Sequence, residues 1–158
     1  MKSSFGYIRD LANGSRQLKT TYEIRKIFLD LCKKYDCQFV VAHNARFDYR
    51  ACNNAQRWTT KSKYRYFFPK GIEIWDTLKM ARDVLGKMPT YIDFCFENGF
   101  VTKHRTPQPQ FTAEVIYRYI TKNIDFVEEH KGLEDVEIEI EIFKYLMRQH
   151  KPMQKKLF

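Results

Sequence analysis

The apolar positions of this chain change their period several times, and each change marks an element. Between Thr20 and Asp36 the residues Tyr22, Ile24, Ile27, Phe28, Leu31 and Cys32 recur at helical spacing with charges between them, which predicts an amphipathic helix. The apolar run Phe39-Val40-Val41-Ala42 predicts a buried strand over 38–42. It halts at the polar pair His43-Asn44, and a helical period resumes over 47–58. Asp48 then falls in the first turn of that helix, where the helix dipole favours a carboxylate with or without any chemistry. A second short strand is predicted at 72–75, with Asp76-Thr77 capping a helix over 78–85. Helical patterns recur at 90–97, 112–122 and 134–148, separated by Asn98-Gly99 and by Thr106-Pro107-Gln108-Pro109. Strands alternating with helices predict an α/β fold. At 158 residues the chain has the length of one domain, 1–158, with a basic tail at 149–158 expected to fray.

Charge adds a partner class to this outline. Lys and Arg outnumber Asp and Glu by 28 to 19, a net charge of +9, which favours a polyanionic partner but equally describes a solvated basic surface. The segment Lys61-Ser62-Lys63-Tyr64-Arg65-Tyr66-Phe67-Phe68-Pro69-Lys70-Gly71 interleaves cations with aromatic rings. Lys61, Lys63 and Arg65 are suited to phosphates and Tyr64 to stacking on an unpaired base, which makes them candidate nucleic-acid contacts. An edge strand with one charged and one packed face accounts for the same pattern.

Cysteine usage and hydropathy narrow the class further. Cys32, Cys37, Cys52 and Cys95 form no C-x-x-C pair, so they are read as reduced, mostly buried thiols rather than a zinc or disulfide framework. No apolar run approaches the roughly 18 residues of a membrane span. Behind Met1-Lys2-Ser3-Ser4 there is no apolar signal core, and the expectation is a cytoplasmic protein without a membrane partner.

Two acidic segments carry the candidate chemistry. Asp48 follows the first strand and its turn; His130-Lys131-Gly132-Leu133-Glu134-Asp135 places a histidine five positions before an aspartate at a helix start. Metal-assisted phosphodiester cleavage needs carboxylates converging from separate elements, because magnesium takes hard oxygen ligands, together with a base that titrates near neutrality. Asp48 and Asp135 are the candidate ligands and His130 the candidate base. A dipole-favoured helix-start acid and a solvated loop histidine are the bland alternatives.

The same residues carry a resemblance. VAHNARFD (41–48), WDTLKMAR (75–82) and HKGLEDVEIE (130–139) resemble, in order and spacing, the second and third motifs of the DEDDh family of 3′–5′ exonucleases, which includes polymerase proofreading subunits and ribonuclease T. The likeness runs from about Thr20 onward, and the layout is similar to that of small bacteriophage exonucleases. It implies a ribonuclease-H-like fold, two Mg2+ or Mn2+ ions, single-stranded DNA or RNA ends as substrate, and a polymerase or replication complex as partner. For a phage-encoded protein it implies the host cytoplasm. Residue by residue, it makes Asp48 and Asp135 metal ligands and His130 the general base. His43 and Asn44 would border the terminal nucleotide, although a satisfied turn explains them equally well.

One motif of the family is missing. Its Asp-x-Glu on an N-terminal strand supplies two of four acidic ligands, whereas the one Asp-x-Glu of this chain, Asp135-Val136-Glu137, lies in a helical pattern where positions i and i+2 diverge. The resemblance therefore implies an exonuclease domain lacking the first strands of its sheet, with an exposed sheet edge. Three readings follow: a 3′–5′ exonuclease, a catalytically inactive nucleic-acid-binding module, and a non-functional fragment of such an exonuclease.

Overall fold

A computed structural model describes residues 4–128 and 132–158. Its elements are α1 (Ser4–Ala12), α2 (Thr21–Lys34), β1 (Phe39–Ala42), α3 (Ala45–Thr59), β2 (Glu73–Asp76), α4 (Thr77–Val84), a 3-10 turn (Leu85–Lys87), α5 (Pro89–Glu97), α6 (Ala113–Thr121) and α7 (Gly132–Arg148). The α/β class stands: helices dominate, around a small parallel sheet. The chain divides into two compact units, unit 1 comprising Met1–Gln38 and Arg50–Gly71, and unit 2 comprising Phe39–Tyr49 and Ile72–Phe158.

Unit 2 is built on two short strands. β1 and β2 pair in parallel, with Phe39 opposite Glu73 and Ala42 opposite Asp76. Parallel strands cannot be joined by a tight turn, and the residues between them, α3 included, supply the long connection. Behind the strands, α4, α5, α6 and α7 enclose the main core. Met80, Val84, Leu85, Tyr91, Ile116, Ile142 and Leu146 are fully buried there. Local chemistry explains the helix starts. Asp76 caps α4, Pro89 occupies the first turn of α5 where its missing N–H costs nothing, and Thr112 caps α6 by accepting from the Val115 N–H at 3.3 Å.

The tail does not fray. Asp76 N–H donates to Lys155 O at 2.8 Å, Leu157 N–H donates to Ile74 O at 2.7 Å, and Lys156 bridges antiparallel to Trp75. Residues 155–157 thus line the edge of β2 through an isolated antiparallel bridge, and Leu157 is buried. The exposed edge expected of an incomplete sheet is in this place covered.

Unit 1 carries α1, α2 and the later turns of α3. Thr20 and Glu23 form a reciprocal capping box at the start of α2, yet no residue of α2 is buried. Residues 60–72 hold no strand, which corrects the edge-strand alternative for the basic-aromatic segment. Its backbone is bound by side chains instead of a ladder: Gln56 Nε2 donates to Tyr64 O at 2.9 Å, and Phe67 N–H donates to Asn53 Oδ1 at 2.8 Å. The four thiols are free, but Cys95 alone among them is buried, since Cys32 and Cys52 are half-buried and Cys37 is exposed. α1 also stands where the sequence reading has no element.

Candidate functional site

The carboxyl ends of parallel strands are where open α/β sheets hold their ligands, because side chains from successive turns converge there. β1 ends in the turn His43-Asn44, with Asn44 in the left-handed region at φ 60°, a conformation asparagine tolerates better than most residues. Asn44 N–H donates to Asp76 Oδ1 at 3.0 Å, and the same oxygen accepts the Leu78 N–H at 3.0 Å. One buried carboxylate therefore fastens the turn after β1 to the helix after β2. Asp76 is the cap its sequence position implies and also a tie between the two strand ends.

His43 is fixed on three sides. Its backbone N–H donates to Glu139 Oε1 at 3.1 Å, Nε2 lies 2.8 Å from Phe111 O and Nδ1 lies 3.0 Å from Thr77 Oγ1. A carbonyl can only accept, so Nε2 carries a proton, while Nδ1 faces the Thr77 hydroxyl, which also reaches Ala42 O at 3.5 Å. Burial lowers the pKa of this imidazole, outweighing the Phe111 carbonyl and Asp76, which act the other way. His43 is a side chain held in place by its partners, in keeping with the satisfied-turn alternative.

The acidic groups gather around Glu139. Asp135 and Glu139 stand one turn apart on α7 and share a face. Burial raises the Glu139 pKa, the His43 N–H opposes this, and the negative charges of Asp48, Glu128 and Asp135 raise it further. Asp48, in the first turn of α3, is an exposed residue overall, yet atoms crowding its carboxylate raise its pKa, with Asp76 adding to the effect. Asp135 is half-buried, and its Oδ1 is a buried acceptor without a hydrogen-bond partner among the described residues. Thus Asp48 and Asp135, far apart in sequence, both act on one half-buried glutamate.

Other candidates fall elsewhere. His130 lies outside the described residues. Lys61, Lys63, Tyr64 and Arg65 belong to unit 1, exposed on its loop, whereas His43, Asn44, Asp48 and Asp135 belong to unit 2. Glu139 is the residue the sequence reading passes over. The available signal was its spacing of four from Asp135, hidden in the alternation Glu137-Ile138-Glu139-Ile140-Glu141.

Carboxylate oxygens are the ligand type a hard cation takes, and Asp135 Oδ1 is buried without a donor among the described residues. Among the described residues, no three His, Cys, Asp or Glu side chains are gathered closely enough to hold a metal ion. Nor is any described helix long and apolar enough to cross a membrane. No protein-family model, curated protein or solved structure matches the chain.

Proposed function

We propose that unit 2 carries a divalent-cation-dependent phosphodiesterase centre of the DEDDh 3′–5′ exonuclease type, on a reduced ribonuclease-H-like sheet, acting on single-stranded DNA or RNA ends. The observation that carries this reading is the contact of Glu139, one turn from Asp135 on α7, with the His43 N–H at 3.1 Å, which sets the α7 carboxylates against the carboxyl end of the parallel strand pair, where Asp48 begins α3. The negative charges of Asp48 and Asp135 add to the cost of ionising half-buried Glu139, and a bound cation would relieve that cost. In this reading Asp135, Asp48 and Glu139 would have to draw together around an ion shared with the substrate phosphates, and His130 would take the proton from the attacking water. Asp76 and His43 act as positioning residues, fixing the β1 turn against α4 and α7.

A second reading, a nucleic-acid-binding module without catalysis, is favoured by the helical location of the chain's one Asp-x-Glu. The two readings separate on cation binding. Mn2+ is expected to raise the melting temperature of the purified chain, and Asp135→Asn is expected to abolish the shift. With a 3′-terminal single strand, Mn2+-dependent nucleotide release is expected to be slow, abolished by Asp135→Ala and reduced about 100-fold by His130→Ala, in line with the usual size of general-base contributions. Neither a shift nor release at millimolar Mn2+, or release indifferent to Asp135→Ala, rejects the hydrolase reading.

A further inference from the structure

We propose that the loop formed by residues 61–66 of unit 1 is a platform for single-stranded nucleic acid, its cations on phosphates and its tyrosines under unpaired bases. This inference concerns binding, and it does not rest on the hydrolase reading of unit 2.

Charge is the first argument. Unit 1 contains 14 Lys and Arg against 4 Asp and Glu, a net charge of +10, whereas unit 2 contains 14 against 15, a net of −1. The basic character of the whole chain is therefore the property of its smaller unit. Within residues 50–71 there are six Lys and Arg and no acid at all. A solvated basic surface normally intersperses both signs, and a run of one sign repels itself unless a polyanion neutralises it.

Geometry is the second. The loop is fastened from beneath at several points. Arg25 Nε donates to Tyr66 O at 3.1 Å and Phe67 O at 3.0 Å, Gln56 and Asn53 hold Tyr64 and Phe67 as described above, and Tyr64 N–H donates to Ser62 Oγ at 3.1 Å. Phe67 is buried, with its ring 5.3 Å from Phe28 and 5.4 Å from Phe68. The remaining side chains point out: Tyr64 and Tyr66 are 62% and 63% exposed, and Lys61, Lys63 and Arg65 are exposed with them.

A held backbone displaying two exposed rings among three cations, with Arg25 and Lys63 5.9 and 5.8 Å from the Tyr64 ring, suits a strand whose bases are free to stack. Rings presented this way are preorganised, so less ordering is required on binding. Double-stranded nucleic acid satisfies the cations but leaves the rings without partners, because its bases are already stacked on each other. The occupant is therefore a single strand. An acidic protein surface satisfies the charge alone and gives no use to alternating rings.

The test is fluorescence anisotropy with labelled DNA and RNA single strands of about twelve nucleotides, within the usual site size, in EDTA so that hydrolysis plays no part. Tyr64→Ala with Tyr66→Ala is expected to weaken binding about tenfold per stacked base. It should leave the salt slope and the binding of base-free polyphosphate unchanged. Tyr64→Phe with Tyr66→Phe should retain affinity, which guards against misfolding as the cause. Lys61→Ala, Lys63→Ala and Arg65→Ala together should lower the log–log salt slope by about 2, at roughly 0.7 per phosphate contact. The strand type, DNA or RNA, that binds more tightly identifies the source. Tyrosine independence in both strand types overturns the proposal, as does equal affinity for duplex. Asp135→Asn should not alter this binding, so failure of the cation site in unit 2 remains a separate result.

Discussion

Asp76 shows how much one side chain can hold when it sits at two chain reversals. Asp76→Ala removes the α4 cap, worth about 1 kcal/mol, and leaves the Asn44 N–H without its acceptor, worth about 1–3 kcal/mol. Urea unfolding should therefore show a loss of about 2–4 kcal/mol. Asp76→Asn keeps an acceptor oxygen and should lose roughly half as much. The cap was legible from Asp76-Thr77 ahead of an apolar helical period; the tie to Asn44 was not, because sequence carries no sign that the turn after β1 lies against the end of β2. His43 and Glu139 give opposite dependences on pH. The His43 pKa is lowered in the fold, so the unfolded chain takes up its proton first, and stability is lost as pH falls below the ordinary value of 6.5. The Glu139 pKa is raised, so its stabilising contribution is fully present below the ordinary 4.5 and is lost as pH rises through the folded value. Glu139→Gln should accordingly gain stability over the parent at pH 8, with the gain shrinking towards pH 4. His43→Gln should flatten the acid limb below pH 6.5. Thermal melts across that range check both signs.

Among the elements, those legible in the sequence are the ones whose burial has a period. α2, β1, α3, β2, α4, α5, α6 and α7 all lie within a few residues of where apolar spacing predicts them. The tail was illegible for a physical reason. Lys155-Lys156-Leu157 has one apolar residue and no alternation, and its pairing is set by the β2 edge that receives it. The same holds in reverse for 61–70, where alternating cations and rings suggest a strand, but Gln56, Asn53 and Arg25 take the backbone bonds a ladder would need. Deleting residues 154–158 tests the tail. It removes the burial of Leu157, about 2 kcal/mol, and hydrogen bonds from Asp76 to Lys155, from Leu157 to Ile74 and from Gln154 to Asp83, at about 1 kcal/mol each, together with the exchangeable contacts of Lys79 Nζ to the Lys156 and Leu157 carbonyls. A loss of about 3–5 kcal/mol is expected in denaturant unfolding. A loss under 1 kcal/mol would mean that the tail adds little to the sheet.

At the scale of the whole molecule, burial and charge are divided along the same line. Nearly all of the apolar core belongs to unit 2, through α4 to α7, while α2 in unit 1 buries no residue and leaves Tyr22, Ile24, Ile27 and Leu31 exposed. Unit 1 also carries the whole net positive charge, and like charges on a poorly buried element oppose its compaction. The sequence shows the overall charge but not its division, because the boundary passes through the continuous helix α3 and is set by contacts rather than by composition. Local stability should follow this division. In native-state hydrogen exchange, amides at Ile138, Ile142 and Leu146 should exchange only through global unfolding, whereas those of α2 should exchange through local opening at far smaller free energy. Binding a polyanion then adds stability where it binds: a single strand at 100 times its dissociation constant contributes about 2.7 kcal/mol, a 100-fold slowing. That slowing should appear in α2 and in the later turns of α3, with the amides of α7 unchanged. Equal protection of α2 and α7 in the free protein would show that the two units unfold as one, and slowing confined to α7 would place the polyanion on the wrong unit.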